Sequence, residues 1–121
     1  MKAVIDSDVL IDFLQGVDEA AAEIDRYDDA CYSIISWMEA MIGAATDQER
    51  FAAETLFDLM RRIELSADIA KRAVDLRRQL RVKLSDAIVV ATADWEGCIL
   101  VTRNAQDFDP HDPRIRIPYQ R

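Results

Sequence analysis

The sequence predicts an α/β protein in which a mostly parallel β-sheet lies between two layers of helices. Three observations predict this fold. Short apolar segments alternate with longer amphipathic ones, the short segments are apolar at consecutive positions as in strands buried on both faces, and turn residues separate them. Half of the 121 residues are hydrophobic, which is enough for one core, so we expect a single domain over residues 1–121.

Most of the predicted elements have a recognisable start or stop signal. Gly16 and Gly97 are expected to end helices, because glycine adopts the left-handed conformation of a C-terminal cap at little cost. Asp18 and Ser66 are expected to cap helices, and residues 36–39 fit the S-x-x-E capping box that opens another. In order, we predict a strand at 3–5, helices over 9–14 and from 18, a strand at 30–35, helices over 36–45 and from 47, a strand at 63–65, helices from 66 and over 85–95, and strands at 98–101 and 115–117.

The chain is strongly acidic, with 23 Asp and Glu against 15 Lys and Arg and a net charge of −8. This balance by itself argues against nucleic-acid binding, which needs cations to contact phosphates. Two observations weaken the argument: a bound divalent cation reverses the local charge where carboxylates converge, and cations crowd into residues 71–83. Four of these cations either guide RNA or form an ordinary solvated helix face: Arg77, Arg78, Arg81 and Lys83.

The sequence contains no membrane or secretory signal. No apolar run approaches the roughly 20 residues that span a bilayer, and Asp6 comes too early for a signal peptide. We therefore expect a cytoplasmic protein that does not enter membranes. Cys31 and Cys98 lack CxxC neighbours, so we expect small buried hydrophobes rather than a disulfide or a zinc site.

Four acidic residues occupy the positions where a parallel sheet would gather them. Asp6 follows the first predicted strand, Asp107 lies shortly after the strand that ends at Thr102, and Glu39 and Asp86 fall in the first turns of predicted helices. Strand ends and helix starts share one edge of such a sheet, where ligands bind. Converging carboxylates repel one another unless a cation joins them, and Mg²⁺ prefers oxygen ligands. The set therefore predicts a Mg²⁺ site suited to phosphodiester cleavage.

Each acid also has an ordinary structural interpretation. Asp6 can be a turn residue, although Ser7 and Asp8 already supply N-cap chemistry for the first helix. Glu39 can be the second half of its capping box, and Asp86 can interact with the helix dipole. Asp107 can be a solvated loop residue. The prediction therefore depends on the four acids as a set.

Four segments in order resemble the motifs of PIN-domain ribonucleases. They are the V-I-D-S-D-V-L-I-D-F-L run within residues 1–14, residues 36–40 (S-W-M-E-A), residues 84–93 (L-S-D-A-I-V-V-A-T-A) and residues 100–108 (L-V-T-R-N-A-Q-D-F). The resemblance covers almost the whole chain. It extends in particular to the short bacterial VapC toxins of VapBC toxin–antitoxin pairs.

The resemblance implies a PIN-like three-layer sandwich with a five-stranded sheet and an endoribonuclease that uses Mg²⁺ or Mn²⁺. It implies that Asp6 is a direct metal ligand, that Glu39 and Asp86 complete the metal shell or hold its waters, and that Asp107 is the fourth acid. Thr102 would hydrogen-bond within the site. It also implies an RNA substrate, a homodimer and an inhibitory antitoxin that inserts a segment near the acids.

Two positions depart from the family pattern. Asp8 stands where a small polar residue such as Asn is usual, and it either adds an outer contact to the metal or, as we prefer, caps the helix. The fourth motif offers Asn104, Asp107 and Asp109, so the identity of its functional acid stays open.

Other functions are less well supported by the residues. The only histidine, His111, lies in a Pro/Asp loop, which disfavours His-dependent nucleophilic catalysis, and no Gly-rich loop for a nucleotide cofactor exists. A receiver-like phosphoacceptor domain would need a Lys near the end of its last strand, where Arg103 stands. A non-catalytic binding module is the other alternative. A surplus of apolar residues on helices 36–60 would then form a dimer or antitoxin surface.

Overall fold

The computed structural model of the chain describes all residues 1–121 and contains five strands and six helices. They are β1 (Lys2–Ile5), α1 (Ser7–Leu14), α2 (Asp18–Asp25), β2 (Asp29–Ser33), α3 (Ile34–Gly43), α4 (Asp47–Asp58), β3 (Arg61–Ile63), α5 (Ala67–Leu80), α6 (Leu84–Glu96), β4 (Ile99–Val101) and β5 (Ile115–Arg116). The strands form one sheet in the order β3-β2-β1-β4-β5, and every neighbouring pair is parallel. The predicted α/β architecture is confirmed.

Helices cover both faces of the sheet, because side chains alternate along each strand. Val4 of β1 and Leu100 of β4 point to the face covered by α5 and α6. Ala3, Ile5 and Val101 point to the opposite face, where they pack with side chains from α1 to α4. The outcome is the expected three-layer sandwich. No helix combines the length and the apolar character needed to cross a bilayer.

Three predicted element boundaries are wrong. The second strand ends at Ser33, whose side chain caps α3 by accepting a hydrogen bond from Ile35 N (3.2 Å), so α3 begins two residues before Ser36. The capping box at 36–39 therefore does not exist: Ser36 is buried inside the helix, and Glu39 lies in its second turn. Asp18 is the first residue of α2 and does not cap it. The strand predicted at 63–65 spans Arg61–Ile63, in register with β2.

The register between β1 and β4 determines where the polar residues meet. Ile5 is paired with Val101, and the backbone N–H of Asp6 donates to the carbonyl of Val101 (2.9 Å). Asp6 and Thr102 are therefore side by side where these two strands end. Asp6 also caps α1, since its carboxylate accepts from Ser7 N (2.8 Å), a role that we had expected of Ser7 and Asp8.

Candidate active site

Asp6 is buried at the carboxyl edge of the sheet, where only 6% of its surface is exposed. The hydroxyl of Thr102 donates a hydrogen bond to Asp6 Oδ2 (2.9 Å). Burial and the nearby Asp8 carboxylate raise the pKa of Asp6 to about 7, against the opposing effects of Thr102 and Ser7 N–H. Asp6 is thus a carboxyl group whose surroundings lack positive charge.

Asp8 lies beside Asp6 at the entrance to the cluster. Its carboxylate accepts hydrogen bonds from Val9 N (2.7 Å) and Arg103 N (3.1 Å), and it lies 3.3 Å from the Thr102 hydroxyl. Asp8 lies inside the first turn of α1 and is not its cap, which is Asp6, so the capping role that we preferred for Asp8 is wrong. Its bond to Arg103 N ties α1 to the loop after β4. Burial raises the pKa of Asp8 despite these donors.

Asp86 lies in the first turn of α6 and faces Asp107 from the loop after β4. Burial, followed by the neighbouring Asp107 carboxyl group, raises the pKa of Asp86 to about 6. Its Oδ2 atom is buried and has no hydrogen-bond partner. Asp107 is oriented by Asn104, whose amide donates to Asp107 Oδ2 (2.8 Å) and lowers the pKa of Asp107. Asn104 Oδ1 accepts from Asp107 N (3.2 Å).

The structure distinguishes the three candidates for the functional residue of the fourth motif, which all lie in the loop after β4. Asp107 contacts Asp86, and Asn104 serves to orient Asp107. Asp109 is exposed and accepts from His111 N (2.9 Å) within its own turn. The geometry favours Asp107 as the acid of this loop.

Glu39 reaches the same region from α3. Because it is not part of a capping box, its carboxylate is available, and it accepts a hydrogen bond from the Ser7 hydroxyl (3.1 Å). Glu39 is also close enough to Asp86 to contribute to its raised pKa. Sequence reasoning gave Ser7 only a capping role and missed this contact with Glu39.

The acids are close enough to affect one another: Asp107 and Glu39 raise the pKa of Asp86, and Asp86 in turn raises the pKa of Asp6. They do not converge on one point: no three His, Cys, Asp or Glu side chains are arranged as a ready metal site. Asp6, Glu39 and Asp107 each accept a hydrogen bond from a nearby donor, whereas Asp86 Oδ2 has none. The side chains point into one shared region and not into separate parts of the solvent.

The donor set nevertheless fits a hard divalent cation. All available ligands are carboxylate oxygens, which Mg²⁺ and Mn²⁺ prefer over nitrogen or sulfur. The unpartnered buried Oδ2 of Asp86 and the raised pKa values of Asp6 and Asp86 indicate a demand for positive charge. Asp6, Glu39, Asp86 and Asp107 are the side chains that can hold such an ion.

A second acidic centre, which sequence reasoning missed, lies one turn further along α1. Asp12 is 1% exposed, and its carboxylate accepts hydrogen bonds from Arg103 Nε (2.6 Å), the Tyr119 hydroxyl (2.7 Å) and Arg121 Nη1 (2.7 Å). Burial raises the pKa of Asp12, but these three donors have the larger combined effect and keep the pKa below its ordinary value. An acid within the apolar run of residues 9–14 was the signal in the sequence.

The four cations that either guide RNA or form a solvated helix face are all on the surface. Arg77, Arg78, Arg81 and Lys83 are exposed at the end of α5 and in the loop that follows. Lys83 is close enough to Asp86 and Asp107 to favour the ionised form of both. It partly offsets the raised pKa of Asp86 and contributes to the lowered pKa of Asp107. Arg81 ends α5 in the left-handed conformation (φ 54°). Only Lys83 therefore interacts electrostatically with the acids.

Comparisons with known proteins identify the family and support the fold. Residues 3–110 match the PIN domain family. One chain of a toxin–antitoxin complex from Klebsiella pneumoniae is 35% identical, superposes with a TM-score of 0.91, and is matched over 98% of this chain and 99% of that chain. Comparison with curated proteins gives no match.

More distant solved structures share the fold. A chain of DNA-bound VapBC from Salmonella typhimurium has a TM-score of 0.82 at 20% identity, over 96% of both chains. A chain of FitAcB from Neisseria gonorrhoeae has a TM-score of 0.80 at 17% identity, over 96% of this chain and 97% of that one. At these identities the likeness concerns the fold alone.

Proposed function

Because this chain belongs to the PIN-domain family, we propose that it is an endoribonuclease that hydrolyses RNA phosphodiester bonds with Mg²⁺ or Mn²⁺. The observation that carries the proposal is the pair of buried carboxyl groups of Asp6 and Asp86. Both have raised pKa values, and one Asp86 oxygen has no donor. Burying carboxylates in this way destabilises a protein unless a cation compensates them, so the arrangement favours a functional role.

The side chains have distinct roles in this proposal. Asp6, Glu39, Asp86 and Asp107 would hold the cation, which supplies charge neutralisation at the phosphate and an activated water when it is bound. Thr102 keeps Asp6 oriented and favours its ionised form through the 2.9 Å hydrogen bond. Ser7 orients Glu39, and Asn104 orients Asp107. Thr102 is a positioning residue here, because it acts through Asp6.

The receiver-like alternative loses its last support. The residue after Thr102 is Arg103, and its guanidinium binds Asp12 rather than the Asp6 region. A phosphoacceptor site would need a cation that contacts Asp6 from that position. A non-catalytic binding module stays an outcome that the activity test decides.

We also propose that the protein is the toxin of a toxin–antitoxin pair and acts in the cytoplasm, since the Klebsiella pneumoniae chain is 35% identical over its whole length. The two apolar clusters pack against one sheet, which supports a single domain over residues 1–121. A groove of about 370 Å³ between α1, α3 and α4 suits an apolar antitoxin segment. Its apolar lining residues include Ile11, Leu14, Ala40, Ala44 and Ala52.

A homodimer is the other proposed assembly. Met38 and Ile42 lie one turn apart on α3 with 45% and 83% of their surface exposed. Phe51 on α4 is 72% exposed, whereas Phe57 on the same helix is buried in the core. Apolar side chains left outside the core support a protein–protein surface.

Cleavage of a labelled single-stranded RNA tests the proposed activity. We expect cleavage with Mn²⁺ or Mg²⁺, none with a chelator, and at least roughly a hundredfold loss in Asp6→Asn and Asp86→Asn. Asp75→Asn, an exposed position on α5, is the matched control and should cleave normally. Normal cleavage by Asp6→Asn, or cleavage unaffected by chelation, would contradict the proposal.

A further inference from the structure

A polar cavity opens directly beside the acid cluster. Its volume is about 540 Å³, the largest of the five cavities in the structure and within the roughly 300–1,000 Å³ typical of ligand sites. Only one of its seven lining residues is hydrophobic. Asp8 and Asn104 belong both to its wall and to the acid cluster, so a polymer bound at the acids would continue into this cavity.

One wall of the cavity carries two guanidinium groups in a chain whose net charge is −8. Arg103 and Arg121 both line the cavity, and both bind the single buried carboxylate of Asp12. Asp8 is a second carboxylate near Arg103, so the two guanidinium groups are balanced in charge, but their N–H donors are not all used. Each guanidinium has five N–H donors, of which Arg103 uses two on Asp12 and Arg121 uses Nη1, so donors remain for an anion.

Asp12 also fixes the position of these cations. Its bond lengths to Arg103 Nε and Arg121 Nη1 are 2.6 and 2.7 Å, and Tyr119 adds a third donor at 2.7 Å. The loop after β4 and the segment at 119–121 are thereby held against α1. A guanidinium that is already held loses less conformational entropy on binding a phosphate.

The cavity is also lined by two side-chain amide groups that make no hydrogen bond in the structure. Gln106 and Gln120 are exposed, and each offers one acceptor and two donors. Side-chain amides pair with the edges of nucleobases. The cavity therefore combines cations for a phosphate with amides for a base.

We infer that this cavity is a nucleotide subsite, in which Arg103 and Arg121 bind an RNA phosphate next to the cleavage position and Gln106 and Gln120 contact its base. The inference rests on the proposed function and adds to it the residues that select the RNA sequence. Two consequences follow. Loss of the amides should weaken sequence preference and RNA affinity, and loss of Arg121 should weaken affinity for all sequences.

RNA binding without cleavage tests the subsite independently of activity. The probe is a fluorescein-labelled single-stranded RNA of about 12 nucleotides, measured by anisotropy with Ca²⁺ in place of Mg²⁺. We expect Gln106→Ala/Gln120→Ala to raise the Kd at least about fivefold, and Arg121→Gln to do the same with a shallower salt dependence. Exposed Gln79→Ala on α5 and half-buried Arg50→Gln on α4, which pairs with Asp47, are matched controls outside the cavity and should bind as the wild type does.

Cleavage with Mn²⁺ of RNAs that differ at each base near the cut provides the second measurement. The amide double variant should lose discrimination between these RNAs through KM, with kcat little changed. The inference is overturned if the amide double variant and Arg121→Gln bind RNA, and discriminate between RNAs, within about twofold of the control variants. This holds even when the wild type cleaves RNA. A wild type that binds the RNA but does not cleave it overturns the proposed function, and the anisotropy of the double variant still decides the subsite. A wild type that does not bind the RNA overturns the subsite.

Discussion

The Thr102 hydroxyl donates a 2.9 Å hydrogen bond to Asp6 Oδ2, across 96 positions of sequence. Both residues are buried at the ends of neighbouring parallel strands. The bond opposes burial and the Asp8 carboxylate, which together raise the pKa of Asp6 to about 7. The proposed ability of Asp6 to bind a cation at neutral pH therefore depends partly on Thr102.

Thr102→Val should move the acidic limb of the pH–rate profile to higher pH. Removing the hydrogen bond removes an effect that lowers the pKa of Asp6, so a larger fraction of Asp6 is protonated at pH 7. We expect a shift of roughly one pH unit at limiting Mn²⁺, with most activity recovered at high pH. Thr92→Val is the control, since buried Thr92 bonds only within α6, to the Ile88 carbonyl (2.7 Å). Identical profiles for the two variants would refute the role of Thr102.

Asp86→Asn should stabilise the protein in the absence of divalent metal. The pKa of Asp86 is raised to about 6, so the folded state binds this proton more tightly than the unfolded state. The ionisation of Asp86 therefore lowers the free energy of unfolding as the pH rises from about 4 to above 6. The uncharged Asn side chain of the variant does not ionise, so the variant does not lose this stability. In chelator at pH 7.5, urea denaturation should show a gain of about 1–2 kcal/mol that shrinks below pH 5.

The same variant should also lose the stabilisation that a divalent cation gives to the wild type. Mn²⁺ should raise the melting temperature of the wild type and of Asp75→Asn, but have little effect on Asp86→Asn. Equal stabilisation of all three proteins would show that the cation binds elsewhere.

Tyr119→Phe should destabilise the fold by about 1–2 kcal/mol, because it removes one donor from the buried carboxylate of Asp12. Although burial raises the pKa of Asp12, its hydrogen bonds keep that pKa below the ordinary value. The stability that the Tyr119 hydrogen bond contributes is therefore present above about pH 4 and is lost as the pH falls below 4. Urea denaturation between pH 5 and 8 should show a constant difference. Tyr32→Phe is the control, since its hydroxyl has no acidic hydrogen-bond partner.

Ile42→Glu should weaken self-association or antitoxin binding without unfolding the chain. Ile42 is 83% exposed on α3, so a charge at this position should lower the stability of the monomer very little. The same charge would strongly destabilise an interface that buries it away from water. Light scattering after size exclusion, with and without the antitoxin, measures the effect. Val74→Glu, at a 45% exposed position on α5 in the other helical layer, is the control. Unchanged assembly in Ile42→Glu would exclude this surface.

Local pattern was sufficient for most of the architecture. The consecutive apolar residues of β1 and β4 are typical of strands buried on both faces, and Gly16 and Gly97 adopt the left-handed conformation expected of helix ends (φ 84° and 66°). Pattern failed at Ser36, because the S-x-x-E spacing is satisfied equally well inside a helix. Ser33 is the cap instead, since it is the last residue of β2, paired with Ile63 of β3, and α3 begins at the next residue.

The sequence by itself determined that Asp6 follows a strand and that Asp86 lies at a helix start, because those positions follow from local hydrophobic period and turn residues; it misplaced Glu39, which lies in the second turn of α3. Only the tertiary structure decided which acids interact. The strand order and the Ile5–Val101 register set Asp6 against Thr102, and the packing of α6 sets Asp86 against Asp107. Asp12 makes the same point: its partners at 103, 119 and 121 are about a hundred residues away, and contacts at such separation leave no periodic trace in the sequence.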